Sequence, residues 1–205
     1  MYSTLIVDDH ESMRDSLTFS LEGTGDFRVV GKLARADLAE AYCGRLGPDL
    51  VILDVCTEAG ASGLDAAKTI CGKYPDIKVI VISGFDEITY APRARAAGAH
   101  AFVYKSKSLE YFVEVARGVM QGGTYYPEAK TIPMPTGEAP LTEREMAVLM
   151  LMCKRLNSRE IADELFISES TVRYHKSNML AKTGFSKSVD LAFYMISNGW
   201  INPRF

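Results

Sequence analysis

In Leu50-Val51-Ile52-Leu53-Asp54, four branched aliphatic residues run straight into a carboxylate. So short and unbroken an apolar run suits a strand of a parallel sheet covered on both faces. The carboxylate falls at the strand's carboxyl end, where open parallel sheets bind their ligands. Similar runs lie on either side: Thr4–Val7, Phe27–Gly31, Val79–Ile82 and Ala101–Tyr104. Helical patterns separate them, at residues 11–22, 36–44, 64–73, 87–97 and 108–121, with Gly98 and Gly122 placed as helix C-caps. Five strand–helix repeats predict an α/β doubly wound five-stranded parallel sheet over residues 1–122.

The residues that follow the strands carry the chemistry. Asp8 and Asp9 follow the first run, Asp54 ends the third, Ser83 follows the fourth and Lys105 the fifth. A lone aspartate after a strand is usually a helix N-cap. Three carboxylates, a hydroxyl and a lysine at one end of one sheet are a different matter. Adjacent carboxylates repel, so a hard divalent cation is expected among them, and Mg²⁺ prefers oxygen ligands. Such a site transfers phosphoryl groups: the cation offsets charge while a carboxylate attacks. Asp54 is the expected nucleophile, and Lys105 and Ser83 are expected to contact the new phosphoryl oxygens.

After Gly122-Gly123 the pattern breaks. Three prolines, Pro133, Pro135 and Pro140, forbid a continued helix, so residues 123–140 read as a linker. Residues 141–205 then read as a small all-α domain of four helices. Thr142 and Glu145 form a capping box, and Ser158, Ser168 and Ser188 open the following helices. In the third helix Val172 and Met179 face inward at helical spacing, while Ser170, Arg173, Tyr174 and Ser177 share another side, flanked by Lys176. A helix presenting that set enters a major groove of double-stranded DNA, with Ser168, Thr171 and Lys182 holding phosphates. His175 reads as a packed histidine.

Net charge is −3, unevenly spread: 13 Lys/Arg face 17 Asp/Glu over residues 1–122, against 9 and 7 over 141–205. The four cysteines, Cys43, Cys56, Cys71 and Cys153, lie too far apart for a zinc motif and read as reduced thiols. No apolar run approaches membrane-spanning length and the N-terminus lacks a secretory pattern, so a cytoplasmic protein with no membrane partner is expected.

Residues 1–122 resemble the receiver domain of two-component response regulators, a flavodoxin-like fold. The resemblance rests on Asp8-Asp9 in Leu5-Ile6-Val7-Asp8-Asp9-His10, on Asp54, on Ser83 in Val81-Ile82-Ser83-Gly84, and on Lys105 in Val103-Tyr104-Lys105-Ser106. It implies that Asp54 accepts phosphate from a sensor histidine kinase. It implies Mg²⁺ held by Asp9, Asp54 and the backbone carbonyl of Cys56, with Asp8 acting through water. It also implies that Phe102 is an aromatic switch, turning inward as Ser83 shifts. One departure stands out: the family's Met-Pro pair and following glycine are replaced by Thr57, Glu58 and Ser62, with Gly63 one residue late. The Cys56–Ser62 loop thus reads as one residue longer than usual, with consequences for phosphate lifetime.

The second domain resembles the LuxR-type (NarL/FixJ) helix-turn-helix. The carrying residues are Arg159-Glu160-Ile161-Ala162, Ile167-Ser168 and Thr171-Val172-Arg173-Tyr174-His175, then Asn178, Met179 and Lys182. Arg155 stands where the family has glycine. The resemblance implies a transcription regulator in which phosphorylation favours a homodimer on DNA, with Leu191, Ala192, Tyr194 and Met195 of the last helix as dimer surface unless its own core claims them. The competing class is an aspartyl-phosphate phosphatase. Such enzymes carry a second acid two residues after the nucleophile, where this chain has Cys56. A receiver serving only as a protein-binding module is the third possibility, opposed by the intact pocket.

Overall fold

The computed structural model describes residues 1–58, 61–85, 88–128 and 141–202. The chain divides after Glu128 into two compact units.

In the first unit, β1 (Tyr2–Val7), β2 (Phe27–Leu33), β3 (Leu50–Asp54), β4 (Lys78–Ser83) and β5 (Ala101–Tyr104) form one sheet. Their order is β2-β1-β3-β4-β5 and every neighbouring pair is parallel. Helices α1 (Glu11–Glu22), α2 (Ala39–Leu46), α3 (Gly63–Lys73), α4 (Tyr90–Ala96) and α5 (Leu109–Met120) complete the doubly wound fold. Alternate strand residues serve opposite faces. Leu5, Val7, Val51, Leu53, Val79 and Val81 pack with Cys43, Ala67, Ile70 and Tyr90 from α2–α4. Ile6, Leu50, Ile52, Ile80 and Ile82 pack with Leu17, Leu21, Phe112 and Ala116 from α1 and α5. Two buried faces explain why the strands read as unbroken apolar runs rather than as alternation.

Register sets the positions of the strand-end residues. Val7 pairs with Leu53, which brings Asp8 beside Asp54. Ser83 pairs with Tyr104, and the Lys105 N–H donates to the Ser83 carbonyl at 2.7 Å. The order reverses around β1 and β3, so the crevice opens between these residues.

Two predicted helices differ in detail. The stretch expected as helix over 36–44 starts as a 3-10 turn, Ala36–Leu38, and α2 runs on to Leu46. Of the helix expected over 87–97, residue 87 lies outside the described residues, Ile88 and Thr89 form a turn, and the helix starts at Tyr90. An earlier start would carry Pro92 into the helix interior, where a missing N–H costs a hydrogen bond; beginning at Tyr90 keeps Pro92 in the first turn. Gly98 and Gly122 adopt positive φ, 87° and 89°, just past the ends of α4 and α5.

The stretch Gly123–Tyr126, read from sequence as the beginning of the linker, lies on the first unit. The Phe102 N–H donates to the Tyr125 carbonyl at 2.8 Å, the Tyr125 N–H donates to His100 at 3.1 Å, and Ala101 and Tyr125 form a parallel bridge. The Tyr126 hydroxyl donates to the Ala99 carbonyl, and its ring lies 4.1 Å from the Arg95 guanidinium. Residues 129–140, with the three prolines, lie outside the described residues.

The second unit contains α6 (Glu143–Cys153), α7 (Ser158–Leu165), α8 (Glu169–Thr183) and α9 (Ser188–Ser197). Thr142 and Glu145 make the predicted capping box. Asn157, rather than Ser158, caps α7, in a second box with Glu160; Ser158 is the first helical residue. Val148, Leu149, Ile161, Val172, Met179, Leu191 and Met195 are fully buried and form its centre. Arg155 has φ 67°. That left-handed conformation favours glycine, and the arginine holds it at a cost of about 1 kcal/mol. Among the described residues no helix is long and apolar enough to cross a membrane.

Candidate functional site

Asp8, Asp54 and Ser83 are all buried at the strand ends. Lys105 reaches over from the end of β5 and joins two of the carboxylates: its Nζ lies 2.8 Å from Asp54 Oδ2 and 2.8 Å from Asp8 Oδ2. Burial pushes the Asp54 carboxyl up to about 6, against the opposing pull of Lys105 and with a further push from Asp8 and Asp9. Burial alone lowers a lysine, yet Lys105 is raised on balance because Asp54 and Asp8 outweigh it. Both shifts express one fact: a half-neutralised cluster of acids shut away from water.

Asp9 stands at the mouth of the crevice. Ligand atoms of Asp8, Asp9, His10 and Asp54 all lie within 4.8 Å of one another. Asp8 Oδ2 and Asp9 Oδ1 are buried and accept no aligned hydrogen bond. A cluster of hard oxygen donors with unsatisfied lone pairs fits a divalent cation. The Arg14 guanidinium donates to the Asp8 carbonyl at 2.6 Å and to the Asp9 carbonyl at 3.2 Å, fixing the backbone from which these carboxylates project. Neither Arg14 nor His10 was singled out from sequence; the run Asp8-Asp9-His10 was the available signal.

The loop after Asp54 is organised by Thr57, where a hydroxyl replaces the family's methionine. Its Oγ1 accepts from the Ala36 N–H at 3.0 Å and donates to the Ala61 carbonyl at 2.7 Å. Cys56 and Ser62 form an antiparallel bridge; residues 59 and 60 between them lie outside the described residues. Gly63 then passes so close to β3 that a Cβ there would sit 1.9 Å from the Asp54 carbonyl oxygen. The glycine that arrives one residue late is therefore the one that lets α3 begin against the acidic strand.

The Ser83 hydroxyl exchanges hydrogen bonds with the backbone of Phe85, at 3.0 Å and 3.2 Å. Phe102 is buried, edge-on to Tyr104 with ring centres 5.1 Å apart.

On the second unit, α8 exposes Ser170, Arg173, Tyr174 and Ser177 on one side, with Arg173 67% and Tyr174 63% exposed. Glu169 lies one turn before Arg173 at 3.8 Å. Ser168 is the N-cap, accepting from the Thr171 N–H at 3.1 Å, and its hydroxyl also meets those of Ser170 and Thr171. The two lysines are drawn elsewhere. Lys176 Nζ donates to the Ser158 hydroxyl at 3.0 Å, across to α7. Lys182 Nζ lies 2.8 Å from Glu145 Oε2, a carboxylate that is itself buried. Burial pushes Glu145 up, but Lys182 and the Thr142 N–H outweigh it and the carboxyl is lowered.

The last helix also differs from expectation. Leu191, Ala192 and Met195 are buried in the unit's own core, and Tyr194 packs between Phe185 and Trp200, 5.3 Å and 5.7 Å away. The outward apolar residues of α9 are Val189, Phe193 and Ile196, with Val189 74% and Phe193 71% exposed. Helical spacing alone marks the apolar positions without saying which serve the core.

A doubly wound sheet with a lysine-bridged acidic crevice, carried in one chain with a helix-turn-helix, defines a signal-receiving transcription regulator. The sequence matches the response regulator receiver domain over residues 4–117 and the bacterial regulatory proteins of the luxR family over residues 139–195. It is 30% identical to the oxygen regulatory protein NreC of Staphylococcus epidermidis, over 94% of this chain and 95% of that one. It is 28% identical to the transcriptional regulatory protein LiaR of Bacillus subtilis, over 98% and 100%. A structure of two RcsB dimers bound to two parallel DNAs shares the fold, with TM-score 0.67 at 21% identity over 96% of this chain and 98% of that one. The chain belongs to the response regulators of the NarL/FixJ (LuxR-type helix-turn-helix) family, whose members are regulators of transcription rather than enzymes.

Proposed function

We propose that Asp54 receives a phosphoryl group from a sensor histidine kinase and that the modified chain pairs as a homodimer on double-stranded DNA, in the cytoplasm, with residues 123–140 joining its two domains. The observation that carries the first half is Lys105, poised 2.8 Å from both Asp54 and Asp8 at the ends of adjacent strands. A carboxylate oxygen of Asp54 forms the bond to phosphorus as the donor's phosphorus–nitrogen bond breaks and its electron pair leaves with the imidazole. Asp9, Asp54 and the Cys56 carbonyl, with Asp8 through water, would hold Mg²⁺, whose charge would offset that of the phosphoryl oxygens. Lys105 transfers its ion pair from the Asp54 carboxylate to a phosphoryl oxygen. Ser83 leaves the Phe85 backbone to donate to another, and Phe102, already inward, keeps that space filled as it does so.

On DNA, Arg173 and Tyr174 carry the base-reading role, with Ser170 and Ser177 beside them. Ser168 and Thr171 bring the helix N-terminus to a phosphate. Lys176 and Lys182 reach phosphates only by leaving Ser158 and Glu145. The Val189-Phe193-Ile196 stripe, rather than the core residues of α9, is the apolar surface offered to a second copy.

The test is to incubate the chain with a small phosphoryl donor and Mg²⁺ and weigh it intact. One phosphoryl mass on the wild type and none on Asp54→Asn is the expected result; full incorporation into Asp54→Asn overturns the assignment.

A further inference from the structure

Arg155 holds a strained backbone, φ 67°, that neither the core of the helical unit nor the reading of DNA requires of an arginine. Glycine adopts this conformation freely and an arginine does not. Strain maintained by the surrounding fold points to a task for the side chain. Arg155 lies just past α6 and lines a slot of about 480 Å³ between α6, α8 and α9. Cys153 and Ala192, both buried, close its inner end, and Val189, Phe193 and Ile196 form a wall. Lys176 of α8 is the second cation on the lining; of the ten described residues there, none is an acid. Lys176 is half-buried, and its Nζ donates to the neutral Ser158 hydroxyl at 3.0 Å. Burial holds its ammonium below the ordinary lysine value. Among the described residues the ion pairs of this unit are Glu169–Arg173 and Glu145–Lys182, so neither slot cation has a carboxylate partner.

We propose that this slot binds a small amphipathic anion, a carboxylate on a medium-length apolar chain, with Arg155 and Lys176 on the carboxylate and the chain along Val189, Phe193 and Ile196. The volume suits a small ligand, and the lining has the expected character: apolar walls with a few charged groups that fix orientation. Charge-assisted hydrogen bonds hold the head, and removing the chain from water supplies the rest. The α9 stripe is also the surface offered to a second copy, so an occupied slot opposes pairing on DNA. That consequence rests on the dimer reading given above, whereas the binding itself does not.

The experiment titrates the full ¹⁵N-labelled chain, without DNA or phosphoryl donor, with sodium octanoate below its micellar concentration, followed by calorimetry and amide NMR. Saturable one-to-one binding is expected, with the largest shifts in the amides around Arg155 and along α9. Octanol, the same chain without the charge, is expected to bind about tenfold more weakly or worse, and octyltrimethylammonium not at all. Arg155→Gly removes the guanidinium and relieves the backbone, so its thermal stability should equal or exceed that of the wild type while octanoate affinity falls about tenfold. Lys176→Met, which keeps the apolar stem, should lose affinity likewise, and Arg155→Lys, which keeps the charge, should stay within about threefold of the wild type. Octanol bound as tightly as octanoate overturns the proposal, as does an Arg155→Gly protein of full affinity. Shifts confined to the receiver domain, or no saturable binding, also overturn it. On a two-half-site DNA, saturating octanoate should raise the protein concentration needed for the dimer, read by sedimentation. A dimer that bound octanoate leaves unchanged overturns the competition. The α9 reading of the dimer fails separately, if Phe193→Asp without octanoate still pairs on that DNA as the wild type does.

Discussion

Asp54 is costly to keep charged where it lies. Its carboxyl is pushed up to about 6 by burial, from an ordinary 3.8, so the folded chain binds that proton more tightly than the unfolded chain. The stability this provides is complete below pH 3.8 and is lost as pH rises through 6. In metal-free buffer at pH 7.5, Asp54→Asn should therefore be more stable than the wild type by about 1–2 kcal/mol, the removed charge being partly offset by Lys105 losing a partner. Denaturant unfolding at pH 7.5 and pH 4 checks this, with a difference that is the same at both pH values counting against it. Gly63 is the second residue on which the crevice depends. Gly63→Ala forces a Cβ to within 1.9 Å of the Asp54 carbonyl oxygen, and the strand end or α3 must shift. Loss of about 2 kcal/mol or more is expected, together with slower phosphoryl uptake by intact mass. Full stability with normal uptake would show that the turn relaxes freely.

At the level of elements, the strands and the residues at their ends were legible because both are local. Leu50–Asp54 shows its burial in its own composition, and a strand's carboxyl end is a fixed place in a parallel sheet. The side-chain partners in the helical unit were not legible, because they depend on which helix lies opposite. Lys182 falls on the same helix as Arg173, and nothing in the spacing of α8 reveals that buried Glu145 of α6 lies 2.8 Å from it. In α9 the apolar positions were visible but not their division between the core and the outside, since Leu191, Met195, Val189 and Phe193 are all apolar and only packing separates them. This separation yields a contrast of two variants. Arg173→Ala should weaken binding to a matched DNA site by about 1–3 kcal/mol and relax preference at one base pair, with little change in folding. Lys182→Met strands a buried carboxylate and should lower the stability of the helical unit by about 1–3 kcal/mol, most strongly above pH 5, because a lowered carboxyl stabilises only when ionised. Thermal unfolding alongside binding titrations on matched and scrambled sites distinguishes the two. A Lys182→Met protein of unaltered stability, with only a shallower salt dependence of binding, would return Lys182 to the DNA backbone.

For the whole molecule, the two units divide the work by charge and by chemistry, an acidic crevice in one and an exposed recognition helix in the other. On the function proposed above, a recognition helix with so few base-reading side chains gains useful affinity by doubling, since two half-sites read together multiply what one reads alone. Val189, Phe193 and Ile196 form an exposed apolar stripe along α9. Phe193→Asp, placing charge in its middle, should leave the fold intact and raise the protein concentration needed to occupy a two-half-site DNA by tenfold or more, while binding to a single half-site is unchanged. Sedimentation and binding titrations read both, and an unaffected dimer on DNA would move the contact off α9.

The hydrogen bond from the Phe102 N–H to the Tyr125 carbonyl has a practical consequence for anyone dissecting the chain. β5 is the last strand of its sheet, and an uncovered last strand offers unpaired backbone groups to any neighbouring molecule, a common origin of aggregation. Tyr125 supplies pairing there from within the chain, bridging Ala101 and bonded to the Phe102 N–H and the His100 carbonyl. A receiver fragment cut after Gly122, where its final helix ends, would be stripped of that cover. It should precipitate or self-associate under conditions in which a fragment ending at Glu128 remains monomeric by light scattering. Identical behaviour of the two fragments would show that β5 needs no such guard.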